Sequence, residues 1–171
     1  MYIAISLGLT LLAGAFAVQA QQPRVSPRGM VKAVVNGIPV MIEYGRPSLK
    51  GRKLDSLVPP RKFWRTGADE APTLACLGDI TLGSLQVPAG NYSLFTIPGE
   101  EEWTLIVNRV AQRWGAFDYD KRKDLGRVSM KVAKSATPVE QFTIVIEPDG
   151  ENGILKLLWG GVEASIAVTA R

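Results

Sequence analysis

Arg46 and Arg65 carry the side chains whose type and setting best suit chemistry. Each ends an apolar, strand-like run, near a glycine and beside an aromatic residue, Tyr44 or Trp64, that can pack its stem. A guanidinium offers a planar fork of donors that fits a carboxylate or phosphate through two contacts. Two such forks close together would clamp an anionic ligand. The competing expectation is that Arg46 or Arg65 pairs with Glu43, Asp69 or Glu70 and fastens the segment to the rest of the fold. Lys50 and Arg52 lie between the two arginines, and seven cations fall from Arg46 to Arg65 against the single carboxylate of Asp55. That run attracts carboxylates, phosphates or acidic glycans.

Asp69 and Glu70 are the weak catalytic candidates. Hydrolysis of a glycosidic bond uses two carboxylates roughly 5–10 Å apart, whereas neighbours on a strand point to opposite faces. A working pair would therefore join Glu70 to a carboxylate from elsewhere, such as Glu43 or Asp118. Asn108 ends a strand-like run, where it either donates to a ligand or closes a turn. Trp114 precedes Gly115 in an irregular stretch and is the indole most open to a ligand. Trp103 and Trp159 sit in alternating strands and read as core. Asp118, Asp120 and Asp124 are oxygen ligands of the kind calcium takes, but Lys121, Arg122 and Lys123 interleave with them, and no metal or cofactor is expected. Cys76 lies in an apolar stretch of a chain with no histidine to activate it, and reads as a small buried hydrophobe.

The elements that must position these groups are strands. Period-two alternation marks 30–34, 39–44, 127–132 and 163–168, and further strands are expected at 74–82, 91–97, 103–108, 140–147 and 153–159. Turn residues separate them at Asn36-Gly37, Pro88 to Asn91, Pro98-Gly99 and Pro148 to Gly150. Asn36-Gly37 is the sharpest hairpin signal. The pattern predicts an all-β domain, a jelly-roll-like antiparallel sandwich of about eight to ten strands over residues 21–171. Two stretches break it: the long basic segment 46–62, and 109–126, which has room for a helical turn. Loops of this length are commonly functional.

An apolar, small-residue run from Tyr2 to Val18 precedes Val18-Gln19-Ala20, which is the pattern of a secretory signal cleaved after Ala20. A retained membrane anchor is the alternative. Export to the periplasm or beyond makes nucleic acid a poor partner, despite the net charge of +4. The basic excess belongs to residues 21–75, with ten Lys and Arg against four Asp and Glu, while residues 76–171 carry ten against twelve.

Several separated motifs in one order resemble the DUF2911 family: Ser26-Pro27-Arg28-Gly29, Tyr44 to Ser48, Lys50 to Arg52, Trp64 to Ala71, Pro88 to Pro98, Trp103 to Asn108 and Trp114-Gly115. The resemblance covers essentially the whole chain after the leader. It implies an exported, β-rich bacterial domain with no reaction, cofactor or substrate to carry over. The chain departs from the family pattern at Asp69, where that pattern has asparagine, and so gains a carboxylate. The reading drawn from the residues is a binding module. In it Tyr44, Arg46, Lys50, Arg52, Trp64, Arg65, Glu70, Asn108 and Trp114 face an anionic small molecule, an acidic glycan or another envelope component. The alternatives are a glycan or peptide hydrolase built on Glu70, and a purely structural envelope protein.

Overall fold

A computed structural model describes residues 24–111 and 119–170; the leader segment and Trp114 lie outside them. Nine strands form one antiparallel sheet: β1 (Arg28–Val35), β2 (Ile38–Gly45), β3 (Thr73–Cys76), β4 (Ile80–Leu82), β5 (Leu85–Val87), β6 (Gly90–Ile97), β7 (Glu102–Asn108), β8 (Asp124–Asp149) and β9 (Asn152–Ala170). Their order is β1-β2-β3-β6-β7-β8-β9-β4-β5. The expected all-β fold is thus built from one continuous sheet that bends over on itself.

The bend is carried by β8 and β9, each long enough to serve two layers. Residues 124–131 of β8 pair with β7, and residues 143–149 pair with the start of β9. The register slips between Lys134 and Val139 and again between Val139 and Thr143, which is how one strand turns a corner. The sequence reads as two strands on each side of these slips because local alternation restarts there. The run 74–82 does the opposite. It breaks at Leu77 to Asp79, since β3 pairs with β2 and β6 whereas β4 pairs with β9. Asp79 fixes the crossing by accepting the Ala89 N–H at 2.8 Å.

The β1–β2 hairpin forms at Asn36-Gly37, with φ of 42° and 79°, the two positive angles that a tight type I′ turn requires. Inside the bend lies the main core, with Ile42, Leu74, Leu94, Leu105, Met130, Ile144 and Leu157 fully buried. Each such side chain contributes about 1.5–3 kcal/mol by leaving water. Strands β6 and β7 are buried on both faces. On the far side Phe95, Ile106 and Ala71 form a second cluster, closed by Phe63 and Tyr119.

Tyr44 joins the layers. Its ring is 3% exposed and meets Phe142 edge-on at 5.7 Å. Its hydroxyl accepts the Ile144 N–H at 2.8 Å and donates to the Ile144 carbonyl at 3.3 Å. One phenol thereby satisfies both polar groups of a β8 residue 100 positions away.

Candidate functional site

The connection from β2 to β3, residues 46–72, holds most of the residues singled out above. Its sequence interleaves leucines with cations. Leu49, Leu54 and Leu57 pack on the main core and Val58 is buried within it, while Lys50, Arg52, Lys53, Arg61 and Lys62 are exposed. A four-residue helical turn, Leu54–Leu57, spaces two of these anchors. The backbone is pinned as well: Leu49 N–H to the Glu140 carbonyl at 2.9 Å, Arg61 N–H to the Pro98 carbonyl at 2.8 Å, and Trp64 to Thr96 in both directions at 2.8 and 2.9 Å. The segment is long but firmly docked.

Within it the two expected forks part company. Arg46 is spent inside the fold, its Nε donating to the Phe142 carbonyl at 3.2 Å and its Nη2 to the Thr143 hydroxyl at 3.0 Å. Arg52 closes the loop on itself by donating to the Leu49 and Ser48 carbonyls, both at 2.9 Å. Arg65 is half-buried, and its Nε reaches the Gly67 carbonyl at 3.4 Å. Lys50 adopts φ 51° and offers its backbone N–H to Glu140 Oε1 at 2.7 Å, leaving its ammonium exposed. No described carboxylate forms an ion pair with Lys50, Lys53, Arg61 or Lys62.

Trp64 packs into an aromatic group. It stacks on Trp159 at 5.7 Å and 18°, and meets Trp103 at 6.0 Å and Phe142 at 5.1 Å edge-on. Beyond it the chain is tightly constrained. A Cβ on Gly45 would stand 2.1 Å from the Ala68 carbonyl oxygen, so only glycine lets the backbone of β2 touch residues 67–68. Thr66, fully buried, takes φ 59°, and its hydroxyl lies 3.0 Å from that of Thr96. For a β-branched residue that angle is costly.

The carboxylates Asp69 and Glu70 turn toward the start of the chain. Glu70 receives the Arg24 guanidinium at 2.5 and 2.8 Å on Oε1 and Arg28 Nη1 at 3.2 Å on Oε2. Asp69 accepts the N–H groups of Val25 at 3.5 Å and Ser26 at 3.3 Å. Its φ of 61° is one that Asp and Asn tolerate better than other side chains, so either residue suits the position. The pair acts as a clasp on residues 24–28. Partial burial would raise the Glu70 carboxyl, but the Arg24 hydrogen bond, a backbone hydrogen bond and the nearby arginine charges outweigh it and hold the group below its ordinary 4.5. A depressed folded-state pKa means stabilisation that is complete above pH 4.5 and lost as pH falls through the lower folded value. Glu70→Gln should therefore lower stability by about 1 kcal/mol at pH 7. The gap to the parent protein should close below pH 4.5, as read from melting temperatures across a pH series.

Asn108 takes the turn role. It is fully buried, its amide donating to the Asp120 carbonyl at 3.1 Å and to Asp124 Oδ1 at 2.9 Å, and its oxygen accepting the Val110 N–H at 3.1 Å. Asp124 also accepts from Tyr119 at 2.7 Å and from Arg127 at 3.0 Å. Burial first, then the bond and charge of Asp124, push the Tyr119 phenol up to about 12. Asp120 is held by Arg122; Asp118 lies outside the described residues. Among the described residues no three potential metal ligands converge. Cys76 is buried with its thiol 3.4 Å from the Pro88 carbonyl, and burial raises it above the ordinary thiol value.

Lys50, Arg52, Arg65 and Glu70 thus share one connection while Asn108 lies apart at the end of β7, and Glu70 and Asn108 are taken up by contacts within the fold. Sequence reasoning singled out neither the exposed heads of Lys53, Arg61 and Lys62 nor the clasp partners Arg24 and Arg28. The leucine-cation interleaving from Leu49 to Leu57 was the available signal for Lys53 in the first group. Nothing local announces the second.

Comparison with known proteins yields one finding. A family model described as a protein of unknown function, DUF2911, matches residues 26–168. No curated protein and no solved structure is significantly similar to the chain.

Proposed function

Because the chain belongs to the DUF2911 family, whose members carry no assigned function, we propose from its own residues that it is an exported module binding polymers with repeating anionic groups. The observation that carries this reading is the interleaved loop. Leu49, Leu54, Leu57 and Val58 hold the backbone against the core while Lys50, Lys53, Arg61 and Lys62 stand outside with no described carboxylate paired to them. A loop fixed in this way loses little conformational freedom on binding. Its guanidinium forks at Arg46 and Arg52 are committed to carbonyls and a hydroxyl. What remains is a set of separated point charges, which suits successive carboxylates or phosphates along a polymer better than one enclosed small anion.

Export rests on the apolar run from Tyr2 to Val18 ahead of Val18-Gln19-Ala20. Among the described residues no helix is long and apolar enough to cross a membrane. The hydrolase reading draws no support from Glu70, whose two oxygens are engaged by arginines and whose depressed pKa leaves it without a proton to donate at neutral pH.

Titration with dextran sulfate and with neutral dextran tests the proposal. The sulfated polymer should bind with an affinity that falls steeply as salt rises, and the neutral one should not bind. Equal binding of both, or an affinity indifferent to salt, would overturn it.

A further inference from the structure

The flank of β1 is closed. The Tyr44 hydroxyl engages both main-chain groups of Ile144, Arg46 reaches the Phe142 carbonyl, and Asn36 donates to the Glu151 and Ala170 carbonyls. The outward face of β1, β2 and β3 is open instead. Val35 of β1, Val40 and Ile42 of β2 and Leu74 of β3 turn into the core, so by the alternation of a strand their neighbours turn out. Among those neighbours Met30 is 52%, Val34 68% and Leu77 77% exposed. Val34, Pro39, Met41, Ala75 and Leu77 line a groove of about 460 Å³ whose one charged wall residue is Lys32. A contiguous apolar surface of this kind marks an interaction site.

Register fixes how charge is laid out on this face. Met30 stands opposite Glu43, and Lys32 opposite Met41. The four outward side chains therefore make a checkerboard, with methionines on one diagonal and a base and an acid on the other. Both charges are available. Lys32 pairs with no described carboxylate, and the half-exposed Glu43 lies 4.0 Å from Arg28, whose closer partner is Glu70 at 3.2 Å. A two-fold axis lying in the face near the Met30–Met41 diagonal exchanges the other two corners. Lys32 of each copy then stands over Glu43 of the other, and each methionine meets its own counterpart, which is the self-matching that a two-fold contact requires. Other axes fail: one along β2 sets Glu43 against Glu43, and one crossing the strands at Lys32 sets Lys32 against Lys32. With strands about 4.8 Å apart and alternate residues about 6.8 Å apart, the diagonal axis crosses the strands of the two copies at roughly 70°, near the orthogonal class of sheet packing.

We infer that this face packs against the same face of a second copy, Lys32 of each protomer meeting Glu43 of the other around a methionine centre. Methionine suits such a centre because its unbranched thioether adapts to whatever opposes it. The face spans only about 10 Å across its three strands and about 20 Å along them, small beside the roughly 800 Å² that each partner gives to a standard interface. The dimer is therefore weak and reversible, with a Kd of about 10–100 µM. No residue of the cationic loop takes part, and neither proposal requires the other.

Sedimentation equilibrium on the full protein tests this over about 1–500 µM at low salt. The parent protein should show a monomer–dimer equilibrium that added salt weakens. Lys32→Glu and Glu43→Lys should each raise Kd at least tenfold, since either change sets like charges together at both contacts. The two changes combined in one chain should bring Kd back to within about threefold of the parent value. Mixing the two single variants should give a heterodimer, because a chain with acids at both positions then faces one with bases at both. Both positions lie outside the core, so melting temperatures should hold. Should Glu43→Lys fail to fold, Lys32→Glu alone decides, its association strengthening with salt where that of the parent weakens. Association indifferent to either reversal, or single variants that stay monomeric when mixed, would overturn the inference. So would a parent protein that stays monomeric throughout, including one that binds vesicles of zwitterionic lipid through this face, since the occupant would then be a membrane.

Discussion

Trp64→Ala is expected to lower the unfolding free energy by roughly 2–3 kcal/mol, below the range of about 3–5 kcal/mol for a fully buried Trp because this indole is half-buried. For a chain of this size that is about 5–10 °C in Tm. The magnitude follows from what the indole touches. It stacks on Trp159 and meets Trp103 and Phe142 at their edges, while its backbone pairs with Thr96. Truncation leaves a void shared by three aromatic neighbours that are fixed in strands and cannot close over it. Near-UV circular dichroism should lose the signal of the stacked indole pair, and polyanion affinity of the folded fraction should stay within about twofold. A variant of unchanged stability that no longer bound polymer would instead make Trp64 a ligand-facing residue, and the docked-loop account would fail.

Removing three exposed cations together should give the largest effect on binding. In Lys53→Ser, Arg61→Asn and Lys62→Ser combined, each change deletes a head that no described carboxylate pairs. Asparagine is chosen at 61 because the position holds φ 61°, which asparagine tolerates. At about 1 kcal/mol per cation facing a dense anionic surface, the loss is about 3 kcal/mol, on the order of a hundredfold in Kd. Isothermal titration with dextran sulfate at low salt measures it. Stability should move by less than about 0.5 kcal/mol, as for surface sites outside any network. Because the loop is held by its leucines, a drop in affinity with an intact Tm isolates the charges from the scaffold. An affinity within threefold of the parent protein would remove the loop from consideration.

How far such groups could be recognised beforehand depends on the range over which their partners lie. The hairpin at Asn36-Gly37 is local chemistry, legible from two residues. The strands expected at 91–97 and 103–108 were equally plain, because each is a short run rich in apolar and aromatic residues set off by turn residues. The joining of 127–132 with 140–147 into one strand was not, since the corner is set by register against β9 and not by any turn residue. The same holds for the break at Leu77 to Asp79, which exists because β3 and β4 belong to different layers. Among site residues, the turn role of Asn108 was visible in its position. The fate of Arg46 was not, as its partners Phe142 and Thr143 lie almost a hundred residues on. Glu70 was expected to meet Arg46 or Arg65, whereas it pairs with Arg24 and Arg28, outside the segment that drew attention. Trp64 and Arg65 are adjacent in a polar motif and both half-buried, and only packing separates them, since Trp64 alone joins the aromatic group.

The pairing of Ile80 with Ala170 has a bearing on how the molecule is made. Among the described residues the β4–β5 hairpin pairs with one other strand, through Val168 to Ala170 of β9, so its place in the sheet rests on three residue pairs. Removing Val168 to Ala170 would therefore strip that hairpin of its strand partner.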